Sequence, residues 1–308
     1  MQNWFLLALV APVLWSIINH IDKYILGKYQ GGRGIGALLI FSSLSSIMVL
    51  PFLAFFFGSE ILNLSFSDSL TLFAVGFLSA SAFYFYLKAM DIEEASVVIP
   101  LFQFDPVFGF ILGFLIIGES LSLSQLLPAI LILTGIILLS LEIDIENKIK
   151  FKKKVLLLVG ASSLLFALSG VLFKKLALVD SFWISIFWQY VGLTVFGVLV
   201  LIFHKKFRKD FVDMFSASNF KILSLNVLSE ILYILGALAN NFALLIAPVA
   251  LVFVVNSYQP LFVFIIGVLL TIMMPTFVSE KISRKHLLHK SICIIIIFIG
   301  SYMLYSTN

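Results

Sequence analysis

Charged side chains are scarce in this sequence of 308 residues, because Asp, Glu, Lys and Arg together make up only 12% of it. Ordinary soluble domains carry roughly 25% charged residues. Apolar residues make up 61% of the chain, and the mean hydropathy is +1.14. A single soluble core stops growing before it could bury this much apolar surface. The composition therefore excludes a soluble globular enzyme, a disordered protein and a nucleic-acid-binding protein.

Groups that hold metals or perform covalent chemistry are also scarce. The only cysteine, Cys293, cannot form an internal disulfide, and the four histidines do not have the spacing of a zinc site. His286 and His289 lie three residues apart beside lysines and are interpreted as part of a solvated loop. Neither a phosphate-binding G-K-[ST] motif nor a nucleophile elbow occurs. We therefore predict no catalytic residues, no metal site and no cofactor.

Long apolar runs dominate the sequence instead. A helix needs about 20 apolar residues to cross a hydrocarbon core roughly 30 Å thick. Ten runs qualify, near 4–22, 35–58, 69–89, 95–117, 121–141, 155–177, 182–203, 220–244, 248–273 and 287–305. Isolated strands would leave backbone groups unsatisfied in lipid, so these runs must be helices. The sequence predicts an all-α membrane protein with ten transmembrane helices, whose longest polar connections are 142–154 and 204–219.

The basic residues are distributed unequally between the connections. Of the 20 Lys and Arg residues, 18 fall in connections that follow odd-numbered helices, and the other two are Lys174 and Lys175. Short cytoplasmic loops are enriched in Lys and Arg. The distribution predicts that both termini lie outside the plasma (inner) membrane and that the odd-numbered connections lie in the cytoplasm.

The two halves of the chain share a pattern. Pro106–Gly113 reads PVFGFILG and Pro260–Gly267 reads PLFVFIIG, with identical residues at five of eight positions. Further matches occur in the same order along both halves, pairing Ala89 with Ala243, Trp15 with Phe166, and Lys23 with Lys174. Chance similarity between apolar helices is the alternative. Because each unit has an odd number of helices, we predict two inverted five-helix repeats, 1–145 and 155–308, that form one membrane domain.

The run from Ala95 to Leu139 resembles the fourth and fifth helices of the EamA-like family, within the drug/metabolite transporter superfamily. It contains the mid-helix Pro106, the pair Gly118-Glu119 and Gly135. The second half repeats these features more weakly, with Pro260, Glu280 and Gly300.

The resemblance implies inverted repeats around a central cavity, lined mainly by helices one, three, four, six, eight and nine. Helices five and ten would lie outside. The sequence departs from the family pattern in two ways. An insertion precedes helix ten, where Ser279 replaces the expected glycine. The charge distribution also contradicts the cytoplasmic termini drawn for many relatives, and we follow the charge distribution.

Polar side chains within the predicted helices are the candidate functional residues, because a charge at mid-helix costs about 2.5–3.5 kcal/mol on insertion scales. In helix eight, Asn226, Glu230, Tyr233, Asn240 and Asn241 share one helical face. With the polar faces of helices one, four and nine and an aromatic pair, this stripe gives eight predicted substrate-binding residues: Trp15, Asn19, Gln103, Phe166, Glu230, Tyr233, Asn256 and Gln259. The alternative is hydrogen bonding between helices, with Glu230 protonated or paired with Lys174.

Two carboxylates are candidates for coupling transport to a proton gradient, Glu230 and Asp105, although Asp105 is expected to face another helix rather than the cavity. Pro106 and Pro260 are predicted helix kinks. Each should free the carbonyl four residues earlier, on Phe102 and Asn256 respectively. Asp22 and Lys23 are expected to form a salt bridge at the membrane interface.

These features predict a secondary transporter that moves a small organic metabolite, such as an amino acid or drug, by alternating access. By analogy with the family, export is favoured. Two alternatives remain, a flippase for a lipid-linked sugar on the same fold and a membrane-embedded lipid-processing enzyme. The expected partners are a small-molecule substrate and the lipid bilayer, without nucleic acid, and a homodimer is left open.

Overall fold

The computed structural model describes residues 3–28, 33–61, 63–93, 98–99, 101–140, 153–217, 220–273 and 284–306. Within these ranges the regular structure is entirely helical. The predicted insertion before helix ten, with Ser279 and Glu280, lies outside the described residues, as does most of the connection 142–154.

Thirteen α-helices are described. Those before residue 141 are α1 (Asn3–Lys28), α2 (Arg33–Ser45), α3 (Leu50–Ile61), α4 (Phe66–Ile92), α5 (Phe104–Ile117) and α6 (Leu123–Ser140). Those after it are α7 (Lys153–Ala177), α8 (Phe182–Phe203), α9 (Lys205–Ala217), α10 (Phe220–Ile246), α11 (Val249–Asn256), α12 (Gln259–Met273) and α13 (Arg284–Ser306). A single 3₁₀ turn, Ser46–Met48, separates α2 from α3.

Seven helical segments among the described residues are long and apolar enough to cross a membrane. They correspond to α1, α2 with α3, α4, α7, α8, α10, and α11 with α12. The apolar parts of α5, α6 and α13 are shorter, at Phe104–Ile117, Leu123–Leu138 and Ile292–Leu304. All ten predicted spans thus contain helix, but the count of ten crossings stays a prediction.

The predicted polar connection at 204–219 is not a loop, because most of it is the amphipathic helix α9. Its apolar side faces the bundle, where Phe207 packs so closely on Gly36 of α2 that a β-carbon there would overlap it. Met214 of α9 is buried and lies 3.8 Å from Asn226 Nδ2 of α10. Because α9 is rich in charged residues, its composition alone indicates a loop. Its apolar residues nevertheless recur with the spacing of a helix.

The two mid-helix prolines accompany helix breaks rather than kinks within continuous helices. Residues 102–103 form a turn before α5, which contains Pro106 in its first turn. Residues 257–258 form a turn between α11 and α12, and Pro260 is the second residue of α12. Proline lacks a backbone N–H and is accommodated best in the first turn of a helix, where that N–H would have no intrahelical partner. Each proline therefore starts a new helix near the centre of the bundle.

Helices α4 and α8 pack with almost no space between their backbones. A β-carbon built on Gly76 of α4 would lie 2.1 Å from the carbonyl oxygen of Gln189 in α8. One on Gly192 of α8 would lie 2.1 Å from the carbonyl oxygen of Phe73. Small residues allow this approach between membrane helices. On the outer side of the bundle, α6 packs against α13.

Substitution of Gly76 by alanine tests this contact. We expect Gly76→Ala to lower the free energy of unfolding by about 1–3 kcal/mol, because the methyl group must displace backbone atoms. Gly160→Ala in α7 is the matched control, since no atom lies within 4 Å of its β-carbon position. Unfolding in detergent measures both variants, and equal stabilities would contradict the packing.

Candidate functional site

A cavity of about 170 Å³ lies among the helices. Its lining comes from α1, α4, α5 with the turn before it, α7, α10, α11 and α12 with the turn between them, and one residue of α8. Polar lining residues are Asn19, Asp22, Ser79, Tyr86, Gln103, Asp105, Ser169, Gln189, Tyr233, Asn240, Asn241, Asn256, Ser257 and Gln259. Aromatic rings supply much of the remainder, from Trp15, Phe83, Phe102, Phe166 and Phe253.

Seven of the eight predicted substrate-binding residues line this cavity: Trp15, Asn19, Gln103, Phe166, Tyr233, Asn256 and Gln259. They come from five of the six helices that the resemblance implies. The sixth, α4, contributes Ser79, Phe83 and Tyr86 to the lining, and the structure adds Gln189 of α8. Neither α6 nor α13 contributes a lining residue among those described. Substrate binding by these seven residues stays a prediction, but their convergence on one cavity is a property of the fold.

Glu230 occupies a different place from the one predicted. It is not among the described residues that line the cavity, and its Oε2 accepts a hydrogen bond of 2.8 Å from Ser45 Oγ of α2. The alternative pairing with Lys174 is also wrong, because Lys174 forms an ion pair elsewhere. Glu230 therefore lies where α10 meets α2.

A chain of hydrogen bonds crosses the cavity wall from α12 to α1 and α4. Gln259 Nε2 donates to Asn19 Oδ1 at 2.6 Å, and Asn19 Nδ2 donates to the Tyr86 hydroxyl at 2.8 Å. Tyr86 in turn donates to Asp22 Oδ2 at 3.2 Å. Gln259 and Asn19 were predicted from the sequence, but Tyr86 and Asp22 were missed as partners. The chain connects a helix break to a buried carboxylate.

The predicted salt bridge between Asp22 and Lys23 does not form. Asp22 is only 3% exposed and faces the cavity. Lys23 Nζ donates to the carbonyl oxygens of Met90 at 3.0 Å and Glu93 at 2.9 Å, at the end of α4. Adjacent residues on a helix point in directions about 100° apart, so the side chains of Asp22 and Lys23 are directed away from each other. The spacing of three from Asn19 to Asp22 was the available signal that Asp22 belongs to the cavity face.

Three further polar pairs brace the lining. Asn256 Nδ2 donates to Asn240 Oδ1 at 2.8 Å, and Asn241 Nδ2 donates to Gln189 Oε1 at 3.0 Å. The hydroxyls of Ser79 and Ser169 lie 2.7 Å apart and connect α4 with α7. Asn240 and Asn241 belong to the polar face predicted for helix eight. No sequence signal singled out Gln189, Ser79 or Ser169.

The break before α5 gives Asp105 and Phe102 positions that the sequence did not predict. Asp105 lines the cavity rather than facing only another helix. The carbonyl oxygen of Phe102 is not free, because it accepts a hydrogen bond of 2.9 Å from the backbone N–H of Asp105. A turn at residues 102–103 thus replaces the bond that Pro106 cannot make and directs the carboxylate inward.

An ion pair at one end of the bundle joins the two halves of the chain. Lys174 Nζ lies 2.5 Å from Glu119 Oε1 and donates to the carbonyl oxygen of Ala247 at 2.6 Å. Glu119 Oε2 accepts from the backbone N–H of Val249 at 2.8 Å and so caps the first turn of α11. Gly118, with φ +75°, ends α5 in the left-handed conformation and turns the chain toward this contact. A carboxylate at a helix N-terminus is electrostatically favourable.

Comparison with known proteins relates the first part of the chain to a known family. Residues 2–141 match the EamA-like transporter family, which confirms the predicted resemblance for this part of the chain. No curated protein matches the sequence. One solved crystal structure of another protein superposes with a TM-score of 0.65, covers 98% of this chain and 96% of its own, and shares 15% sequence identity. At that identity the likeness concerns the fold alone. With the apolar helices, the family match defines a multi-pass integral membrane protein.

The contribution of the Lys174–Glu119 pair can be measured with a double-mutant cycle. We expect Lys174→Met and Glu119→Gln each to lower the free energy of unfolding, because each leaves a largely buried charge without its partner. The coupling energy between them should exceed about 1 kcal/mol.

Lys175→Met is the matched control, because Lys175 is the adjacent lysine and is exposed. Its cycle with Glu119→Gln should give no coupling. Additive effects of Lys174→Met and Glu119→Gln would show that the pair does not join the two halves.

Proposed function

Because residues 2–141 belong to the EamA-like transporter family, we propose that the chain is a secondary transporter for a small organic metabolite. It works by alternating access across the plasma membrane. The observation that supports this most directly is the central cavity, which concentrates amide, hydroxyl and carboxyl groups inside helices that are otherwise apolar. Polar groups at membrane depth are rarely lipid-facing and mark substrate or ion pathways.

The proposed architecture is a pair of inverted repeats, 1–145 and 155–308, with ten crossings in all. Contacts of matching lysines support it. Lys23 donates to the carbonyl of Glu93, four residues after Ala89, while Lys174 donates to the carbonyl of Ala247, four residues after Ala243. In each half, the lysine at the end of the first helix of that half therefore binds the backbone carbonyl at the equivalent position after the third helix.

A second pair of contacts follows the same correspondence. The rings of Tyr86 and Phe102 lie 6.0 Å apart, three residues before Ala89 and four before Pro106 respectively. Asn240 and Asn256 hold the equivalent positions relative to Ala243 and Pro260, and their side chains are hydrogen-bonded. Matching positions touch in both halves although their residue types differ, as expected for two related units.

Two helix–helix contacts hold equivalent positions in the two halves, and we call them the α4–α8 seam and the α2–α10 seam. They differ in how they are closed, and this difference suggests how access alternates. Gly76 and Glu230 hold corresponding positions, each thirteen residues before the matched alanine. At Gly76 the α4–α8 seam is closed by backbone contact, whereas at Glu230 the α2–α10 seam is bridged by the hydrogen bond to Ser45. In the proposed cycle the two seams exchange roles. Breaking a side-chain bridge is easier than separating packed backbones, so the Glu230 seam opens first.

Coupling to the proton gradient is assigned to Glu230, with Asp105 as the second candidate. A carboxyl at the seam changes its bonding to Ser45 when it gains or loses a proton, which would link protonation to opening. Export is the direction favoured by analogy with the family. The distribution of Lys and Arg supports an orientation with both termini outside.

Flux into liposomes tests transport and the role of Glu230 together. The solute is chosen by a thermal-shift screen of the purified protein, since a bound ligand raises stability. Wild-type protein should move it saturably, and an imposed pH gradient should accelerate the flux. Glu230→Gln should retain flux along the solute gradient but lose the acceleration, because its amide cannot exchange a proton.

Asp213→Asn is the control, because Asp213 is an exposed carboxylate on α9. It should respond to the gradient like the wild type. A normal response in Glu230→Gln would remove Glu230 from the coupling step, and the absence of saturable flux for every stabilising solute would contradict transport itself.

A further inference from the structure

The charge in the cavity lining has one sign. Two carboxylates, Asp22 and Asp105, are among the described lining residues, and Lys, Arg and His are not. The basic residues nearby in sequence are engaged elsewhere, with Lys23 on two backbone carbonyls and His20 Nε2 3.0 Å from the carbonyl oxygen of Val263. Within the described part of the chain no basic side chain lies within ion-pair distance of either carboxylate. A carboxylate away from water is stable only when it is protonated or accompanied by a cation.

The hydrogen-bonding groups left over in the cavity are mostly acceptors. Gln103 Oε1, Asp105 Oδ1 and Asn256 Oδ1 are buried and form no hydrogen bond of good geometry with a described residue, and the donor nearest to the Asp105 carboxyl is the Ser163 hydroxyl. All three residues line the cavity, and they lie at or beside the two helix breaks. In the same region Trp15 Nε1 is a buried donor without a described partner. Buried acceptors without donors are costly, so their ligand should bring N–H or O–H groups.

Aromatic side chains line the same cavity as these acceptors. Trp15 of α1, Phe166 of α7 and Tyr233 of α10 all line the cavity. A ring attracts a cation placed over its face, by about 0.5–2 kcal/mol depending on desolvation. The same rings would bury an apolar substituent. Gly236 packs against the indole of Trp15, where a β-carbon would lie 2.8 Å from Nε1.

We propose that the cavity binds an organic cation, a protonated primary amine on an apolar body about the size of one ring. The inference rests on the proposed transport function and assigns its substrate class. The ammonium donates to Asp105 and to the side-chain carbonyls of Gln103 and Asn256, which together match its three N–H groups. The volume of about 170 Å³ sets the size of the body, because a cavity of roughly 150 Å³ accommodates benzene.

Binding of three compounds of similar size and different charge tests this proposal. Benzylammonium, benzamide and benzoate are each titrated by calorimetry into the purified full-length protein in detergent. We expect benzylammonium to bind at least about tenfold more tightly than benzamide, as a charged hydrogen bond exceeds a neutral one by this order. Benzoate should not bind measurably, since it would face two carboxylates. Equal or tighter binding of benzamide or benzoate would overturn the proposal, as would absence of benzylammonium binding to folded protein.

The variant Asp105→Asn tests whether the charge of Asp105 recognises the ammonium group, as distinct from a role of Asp105 in folding. This variant should weaken benzylammonium at least about tenfold while leaving benzamide affinity within about twofold. Asp213→Asn, with its exposed carboxylate on α9, should bind all three compounds like the wild type. Equal loss of both ligands in Asp105→Asn would show a structural defect rather than charge recognition and would contradict the role of Asp105.

Flux of radiolabelled benzylammonium into liposomes distinguishes the two proposals. Binding without flux would support the substrate class and contradict transport of it. Saturable flux of benzamide or benzoate, without that of benzylammonium, would support transport and overturn the substrate class.

Discussion

A polar group inside this bundle is costly unless it finds a partner, because the surrounding lipid offers none. This constraint explains why the polar residues of separate helices meet at one place. Asn19, Tyr86 and Asp22 satisfy one another, and Gln259 joins them from across the cavity. The helix breaks obey the same rule, since the N–H of Asp105 bonds to the carbonyl that Pro106 leaves free. What these bonds do not satisfy, chiefly acceptor oxygens around the cavity, determines what the cavity can hold.

The same constraint governs the ends of the helices. A helix leaves its last carbonyls and its first N–H groups without internal partners. Lys23 covers carbonyls at the end of α4, and Lys174 covers the carbonyl after α10. Glu119 supplies the opposite charge to the start of α11 and binds Lys174 as well. These few charged residues therefore connect separate segments of the chain. Because the two lysines are bound there, they are unavailable to neutralise the cavity carboxylates.

Much of the fold and most of the candidate site follow from the sequence, for identifiable reasons. Apolar length gives the helical segments, and helical period gives the inward face, so Trp15, Asn19, Tyr233 and Gln259 were placed on the cavity from their spacing. Periodicity fixes the direction of a side chain but not its partner in another helix. Glu230 therefore shares a face with Tyr233, yet meets Ser45 nearer one end of the helix. Similarly, Lys174 could not be assigned to Glu119 without knowing that the ends of α5 and α7 lie beside each other. The helix α9 was not predicted because its many charged residues are typical of a polar loop.

Alternating exposure of the cavity is measured most directly by the reactivity of a cysteine placed in it. Cys293 is the only natural cysteine and is buried, so Cys293→Ser provides a background without thiols. Ala237→Cys, in the cavity lining, is then treated with a membrane-impermeant maleimide from either side of sealed vesicles. We expect labelling from both sides, in proportions that change when a pH gradient is imposed. Labelling from neither side, or from the same side only under every gradient, would contradict a chamber that opens alternately to the two faces of the membrane.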